Sequence, residues 1–141
     1  MKTQLAVFAI AMSLAGCAID QKVQPVAIST TGSREICVIK NPAVRDSFLE
    51  RYETALGHKG LLVHEVSPGS PVSACPLTTT YTASWYWDVA MYMNYVNFKI
   101  YRDGNLVGEA LYDSRRGGAN MNKFIDADKK VMELTNQLFP G

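Results

Sequence analysis

Apolar and polar positions alternate along the middle of the chain, and a period of two predicts β-strands. The alternation runs over Thr78–Asp88, over Met91–Tyr101 and again from Leu106 to Tyr112. A three-residue loop, Arg102–Gly104, joins the last two segments, and its odd length would keep both apolar sets on one side of a hairpin. The positions that we expect to face the core are Tyr81, Ala83, Trp85, Trp87, Val96, Phe98, Ile100, Leu106, Gly108, Ala110 and Tyr112.

Two other segments have the spacing of helices that bury one face. Asn41-Pro42 is a typical helix start, because Asn caps the free N–H groups and Pro fits the first helical position. Asn120 or Asn122 could cap the second helix in the same way. The predicted apolar stripes are Val44, Phe48, Leu49, Tyr52 and Leu56 in the first helix, and Phe124, Ala127, Val131, Leu134 and Leu138 in the second.

Short β-branched segments at Glu35–Lys40 and Leu61–Val66 add two strands before the alternating region. The order is therefore strand, helix, a run of strands, helix. We predict an α+β fold: a two-layer sandwich in which a mainly antiparallel sheet of four to five strands carries both helices on one face. This single globular domain would occupy residues 34–141.

The first residues have the layout of a secretory signal peptide. Lys2 gives a positive start, Leu5–Leu14 is apolar, and small residues precede Cys17. The tetrapeptide Leu14-Ala15-Gly16-Cys17 resembles the lipobox of bacterial lipoproteins. The resemblance implies cleavage after residue 16 and a diacylglyceryl group and an N-acyl chain, such as palmitate, on Cys17. An ordinary signal peptide with a chance cysteine, or a buried helix, would be the alternatives.

Residues 17–33 contain no periodic apolar face, so we expect a lipidated Cys followed by a flexible tether. An edge strand at Val26–Ile28 is an alternative for part of it. By analogy with enterobacterial sorting, Ala18 after the lipidated Cys favours the outer membrane of a diderm bacterium, with the domain facing the periplasm. The chain would contact the membrane through this anchor.

Composition narrows the function classes. The 14 basic and 13 acidic side chains give a net charge of only +1, which argues against nucleic acid as a partner. There are three cysteines. If Cys17 carries lipid, Cys37 and Cys75 remain as an even pair in an oxidising compartment, and we expect a disulfide between them. Two buried free thiols would be the alternative.

The sequence contains few groups suited to catalysis. His58 and His64 are the only histidines, and their spacing matches no metal motif, so we expect no metal site. A Cys75–His64 nucleophile pair, as in a small hydrolase, would need a free thiol. Nucleotide-binding and hydrolase fingerprints are absent. We therefore expect a non-enzymatic protein without a cofactor other than its covalent lipid.

Two groups of residues are candidates for binding. Arg115-Arg116-Gly117-Gly118 could gather guanidinium groups and backbone amides around an anion such as a phospholipid or lipopolysaccharide headgroup. The alternative is a solvated loop that needs glycine for its turn. Tyr86, Tyr92 and Tyr95 could form an exposed aromatic face that contacts an envelope protein or a glycan. The alternative is that these rings only cover the sheet.

The carboxy-terminal part is similar to a group of small proteobacterial lipoproteins of uncharacterised function, the Sbal-type lipoproteins. The resemblance covers about the last 60 residues together with the lipobox, and it implies an envelope location without supplying site residues. Its segments are Trp85–Asp88, Ile100–Gly104, Gly108–Asp113, Gly117-Gly118, Lys123–Ile125 and Asn136–Gly141.

The sequence as a whole predicts an outer-membrane-anchored periplasmic lipoprotein that acts as a binding or accessory module of the cell envelope. A carrier or sensor of an anionic envelope ligand at the Arg115–Gly118 loop is the alternative function.

Overall fold

The computed structural model describes residues 18–27 and 32–141. The expected signal peptide, the lipidated Cys17 and Ile28 lie outside these residues. Six strands and two helices follow one another along the chain, with a short 3-10 turn at Met121–Lys123 before the last helix. The elements are β1 (Asp20–Gln24), β2 (Glu35–Ile39), α1 (Asp46–His58), β3 (Leu62–Val66), β4 (Leu77–Asp88), β5 (Ala90–Arg102), β6 (Asn105–Asp113) and α2 (Ala127–Leu138).

The strands form one open sheet in the order β1-β6-β5-β4-β2-β3. The pairs β1–β6, β6–β5 and β5–β4 are antiparallel, whereas β2 pairs in parallel with both β4 and β3. The parallel pair β2–β3 is connected through α1, as a crossover requires. The predicted α+β sandwich is confirmed, and the sheet has one strand more than expected.

An aromatic cluster joins the helix layer to the sheet. Tyr52 of α1 stacks on Phe98 of β5 with ring centroids 3.9 Å apart, and Phe48 packs against the same ring. The Tyr52 hydroxyl lies 2.7 Å from the Thr79 hydroxyl, which satisfies its hydrogen bond in the core. Burial raises the pKa of Tyr52 well above its usual value, so this hydroxyl stays neutral. The predicted stripe of α1 therefore faces the sheet.

The additional strand lies in the segment that we expected to be a flexible tether. β1 pairs with β6 in continuous antiparallel register from Asp20↔Asp113 to Gln24↔Glu109. Val26, which follows it, is buried in the core. The prediction of flexibility is wrong for these residues, because backbone pairing with an existing sheet edge orders a strand whose side chains are mostly polar.

Both predicted helix caps are displaced. Asn41 accepts a hydrogen bond from the Ala43 N–H and bonds to Tyr81 through its own backbone N–H and its side chain. It therefore caps a turn, and α1 begins four residues later than the Pro42 start implies. Asn120 caps the 3-10 turn, while Asp126 caps α2.

Among the described residues, no helix is long and apolar enough to cross a bilayer.

The β5–β6 hairpin keeps the predicted faces by a different geometry. Its turn has two residues, Asp103 and Gly104, both with positive φ, and a register shift follows between Ile100 and Tyr101. A two-residue turn alone would place the apolar side chains of β5 and β6 on opposite faces of the hairpin. The extra residue of the bulge returns them to one face. Leu106, expected in the core, pairs with Tyr101 before the bulge and is exposed. Trp87, also expected in the core, is exposed as well, because it lies on the projecting end of β4.

Gly108 allows the chain to pack closely behind β1. A Cβ at this position would overlap the Val26 side chain and approach the Leu138 side chain of α2. The absence of a side chain at Gly108 thus lets both Val26 and α2 reach the sheet.

The predicted disulfide between Cys37 and Cys75 is present. It links β2 to the loop before β4, with Cα atoms 6.0 Å apart. The two strands share only two backbone register pairs, Cys37↔Thr78 and Val38↔Thr79. The bond therefore reinforces the shortest strand pairing in the sheet.

A carboxylate pair joins α1 to β3. Desolvation, together with a hydrogen bond to Glu65, raises the pKa of Glu53 to about 7. Lys40 opposes this rise, and its ammonium lies 3.3 Å from the Glu65 carboxylate. A nearby Glu50 adds a small repulsive contribution. Glu53 is consequently protonated in the folded protein under conditions where it would be ionised in the unfolded chain.

This pair predicts a pH-dependent stability. Since the folded pKa lies above the unfolded value of 4.5, the folded state binds the extra proton between about pH 4.5 and 7, and the stabilisation is lost as the pH rises through that window. Glu53→Gln keeps a donor for Glu65 without ionising. We expect the variant to melt above the wild type at pH 8 and close to it at pH 4, measured by circular dichroism. Glu50→Gln is the control, and an identical pH profile for wild type and Glu53→Gln would contradict the assignment.

Candidate functional site

The two predicted binding groups meet at one end of the sheet. The β4–β5 hairpin projects from this end, and the segment 114–124 leaves β6 beside it. Tyr86, Tyr92, Arg115 and Gly118 line one shared depression together with Lys123. The sequence placed the tyrosines and the arginines in separate segments, and the hairpin geometry brings them together.

Arg115 is engaged by a carboxylate and an aromatic ring. Its guanidinium makes two hydrogen bonds to Asp113, Nε to Oδ1 at 2.9 Å and Nη2 to Oδ2 at 2.7 Å. The same guanidinium lies 4.2 Å from the centre of the Tyr95 ring. These hydrogen bonds lower the pKa of Asp113 and raise that of Arg115, so both groups remain charged. Arg115 is thus fixed in place against β6.

Arg116 holds the first described residues, and Gly117 closes a turn within the loop. The Arg116 guanidinium pairs with Asp20 at 3.2 Å, and the Ala18 N–H donates to the Arg116 carbonyl at 3.1 Å. The Gly117 N–H donates to the Ser114 carbonyl at 2.8 Å, and a Cβ on Gly117 would crowd that carbonyl. An anion in this loop would have to compete with two carboxylates and with an internal hydrogen bond.

Lys123 is the central residue of this end, and no sequence pattern singles it out. It is only 4% exposed, yet its ammonium lies 2.6 Å from the Asp88 carboxylate and donates to the Gly118 carbonyl. The Tyr92 and Phe124 rings lie 5.5 and 5.3 Å from the same nitrogen. The buried Lys123 ammonium therefore links the β4–β5 hairpin, through Asp88, to the loop at Gly118. A lysine beside a phenylalanine carries no sequence signal of such a role.

The three tyrosines have different environments. Tyr86 is exposed, whereas Tyr92 is 7% exposed because it packs edge-on against Phe124. Tyr95 is half-buried beneath Arg115. The face that we expected to be open is therefore covered at Tyr92 by the loop before α2, and Tyr86 is the member available for contact.

A largely apolar groove of about 470 Å³ lies between the hairpin turn and the 3-10 turn. Val89 and Ala90 form one wall, and Ala119 and Met121 form the other, with Lys123 among the remaining lining residues. The groove offers mainly surface for hydrocarbon, and its two charged lining residues, Asp88 and Lys123, are paired with each other.

The candidates for catalysis and metal binding do not converge. His58 and His64 are both exposed, and the His64 imidazole lies 3.8 Å from the Glu35 carboxylate. Cys75 is held in the disulfide. Asp88 and Asp113 are each paired with a different cation. Over residues 18–27 and 32–141, no group of three or more His, Cys, Asp or Glu side chains could hold a metal ion.

The Lys123–Asp88 pair predicts coupled stability effects. Asp88→Ala would leave a buried ammonium without its carboxylate, and we expect it to lower the free energy of unfolding by about 1–2 kcal/mol. Lys123→Met removes the charge and keeps the length of the side chain. In the Lys123→Met background, Asp88→Ala should cost much less, as measured by urea unfolding in a double-mutant cycle. Strictly additive losses would show that the two groups do not depend on each other.

Comparison with known proteins establishes similarity of fold. No protein-family model and no curated protein sequence matches the chain. A PelC dodecamer from Paraburkholderia phytofirmans is similar in structure, with 12% identity, a TM-score of 0.56 and coverage of 86% of this chain and 98% of that one. A variant of the same protein gives 13% identity, a TM-score of 0.51 and coverage of 86% and 92%. A minor lipoprotein from Acinetobacter baumannii gives 15% identity, a TM-score of 0.41 and coverage of 76% and 91%. The chain shares the fold of the PelC subunit.

Proposed function

We propose that this chain is a lipoprotein of the bacterial outer membrane, lipidated at Cys17, whose domain lies in the periplasm and acts as a non-enzymatic binding or accessory module. The lipobox Leu14-Ala15-Gly16-Cys17 supports the lipidation, and Ala18 at the next position supports the outer membrane. Its covalent acyl chains are the only lipid or cofactor that the proposal requires.

The observation that carries the proposal is the bonding of Ala18 and β1 to one end of the sheet. The Ala18 N–H is bonded to the Arg116 carbonyl, and β1 starts at Asp20. A lipid on Cys17 would therefore be attached directly to the folded domain. The anchor would hold one defined end of the sheet at the membrane surface.

The distribution of reactive groups supports a binding role over an enzymatic one. The thiol that a hydrolase would need is in a disulfide, and the two histidines lie on the surface. The exposed Tyr86 ring offers contact area for an envelope protein or a glycan. Binding of an anionic headgroup at Arg115–Gly118 receives less support, since both guanidiniums already pair with carboxylates.

The anchor is tested in a diderm host by metabolic labelling with an alkyne fatty acid and by membrane fractionation. Wild type should incorporate the label and sediment with the outer membrane. Cys17→Ser should lose the label and appear in the soluble periplasmic fraction. Ala18→Asp should keep the label and move to the inner membrane.

The control is Cys37→Ser combined with Cys75→Ser, which leaves Cys17 as the only cysteine and should still incorporate the label. An unlabelled wild-type chain in the soluble fraction would overturn the proposed function. In the same cells, a photo-crosslinker at Tyr86 should capture one envelope component that a crosslinker at Leu62 does not. Equal products from the two positions would count against a binding site at Tyr86.

A further inference from the structure

Exposed apolar side chains are concentrated at the end of the sheet where Ala18 is bonded and β1 begins. Seven large apolar side chains are exposed in residues 18–27 and 32–141, and five of them lie on the β4–β5 hairpin end or the adjacent 3-10 turn. Val89 is 86% exposed, Met121 73% and Trp87 65%. We call Trp87, Val89, Met91 and Met121 the apolar end. Tyr86 lies beside it on the other side of the hairpin.

The two remaining exposed side chains lie at the opposite end of the sheet. Leu62 begins β3, which runs parallel to β2, and Leu106 follows the β5–β6 turn. β2 in turn pairs in parallel with the beginning of β4, far from the Asp88 turn. The exposed apolar side chains are therefore concentrated at one end of the strands. A surface that contacted only water would not need such a concentration.

The backbone at the turn is also strained. Val89 has φ 64, in the left-handed region where a β-branched side chain is disfavoured. Its side chain contributes no buried packing in return, since it is almost fully exposed. Asn or Gly would meet the backbone requirement at lower cost. A valine at this position makes sense if its side chain has an apolar environment outside the domain.

The β4–β5 hairpin and the first described residues, Ala18 and Ile19, extend from the same end of the sheet. Asp20, Asp113, Tyr95 and Ser84 form one row across the sheet. Strand residues advance about 3.3 Å each, so Asp88 lies roughly 13 Å beyond this row. Ala18, the first described residue, precedes Asp20 by two residues, so it lies at most about 7 Å beyond the row. A lipid on the preceding residue would therefore emerge at the same end of the sheet as the hairpin turn.

Bonded contacts fix the position of the apolar end relative to Ala18 and Asp20. Lys123 joins Asp88 of the hairpin to Gly118 of the loop. Two residues earlier, Arg116 accepts the hydrogen bond from Ala18 and pairs with Asp20. Ala18 and Asp20 are therefore connected to the hairpin through one short, bonded loop.

We propose that the apolar end inserts into the headgroup and acyl-chain boundary of the leaflet that holds the Cys17 lipid. This proposal rests on the lipidation stated under the proposed function. Tryptophan, valine and methionine suit this boundary, and a tryptophan at the interface is typical of membrane-contacting proteins. The exposed Arg116 would lie at the level of the phosphates. The lipid and the apolar end together would fix the orientation of the domain, which a single lipid cannot do.

The experiment uses the chain from Cys17 onward, because every strand and helix of the described residues begins after that residue. Cys37 and Cys75 are bonded to each other, so Cys17 is the one free thiol of the three cysteines and accepts a maleimide phospholipid. This coupling does not depend on lipidation in the cell. Failure of the insertion is therefore separable from failure of the proposed function, which the fatty-acid labelling decides.

Trp85→Phe leaves Trp87 as the only tryptophan of the two. The coupled protein is placed on phosphatidylethanolamine–phosphatidylglycerol vesicles that contain lipids with nitroxide-labelled acyl chains. We expect the emission of Trp87 to shift to the blue and to lose roughly half or more of its intensity. The matched control carries Leu62→Trp with both native tryptophans changed to Phe, and we expect its quenching to stay below about a tenth.

Val89→Asn separates insertion from folding. Asn tolerates the positive φ, so we expect an equal or higher melting temperature together with clearly weaker quenching of Trp87. Unquenched Trp87 that stays open to acrylamide would overturn the proposal. So would Trp87 that is shielded without lipid quenching while the protein sediments as an oligomer, because a second copy would then cover the apolar end.

Discussion

The antiparallel pairing of β1 with β6 is the constraint on which the rest of this structure depends. It places Asp20 beside Asp113, at the same end of the sheet as the projecting β4–β5 hairpin. The Ala18–Arg116 hydrogen bond extends this pairing by two residues toward Cys17. Ala18, the arginine loop and the apolar end consequently lie at one end of the sheet, and a lipid on Cys17 would turn that end toward the membrane.

Much of the fold follows from side-chain periodicity. The pattern of Phe48 and Tyr52 in α1, and of Val96 and Phe98 in β5, correctly predicted both helices, five of the six strands and most of the buried positions, because these side chains must be removed from water together. The cysteine count gave the disulfide. The pattern failed where backbone bonding decides the structure. The mostly polar β1 is ordered by its partner strand, and Leu106 is turned outward by a bulge that no side-chain period reveals.

The candidate site was less predictable than the fold. The sequence identified Arg115 and Tyr86 by residue type, yet the environment of each depends on long-range contacts. Tyr92 is covered by a loop, and the buried Lys123 at the centre of this end has no local sequence signature. The contact between Ala18 and Arg116 joins residues far apart in the sequence, and it replaces the expected free tether with a segment bonded to the domain.

The central claim is that the lipidated domain lies directly on the membrane, and neutron reflectometry of the Cys17-lipidated protein on a supported bilayer tests it most directly. The account predicts protein density that adjoins the lipid headgroups without an intervening layer of water. A free tether over residues 17–33 would instead hold the domain about 20 Å from the surface. A water layer of that thickness between headgroups and protein would contradict the account.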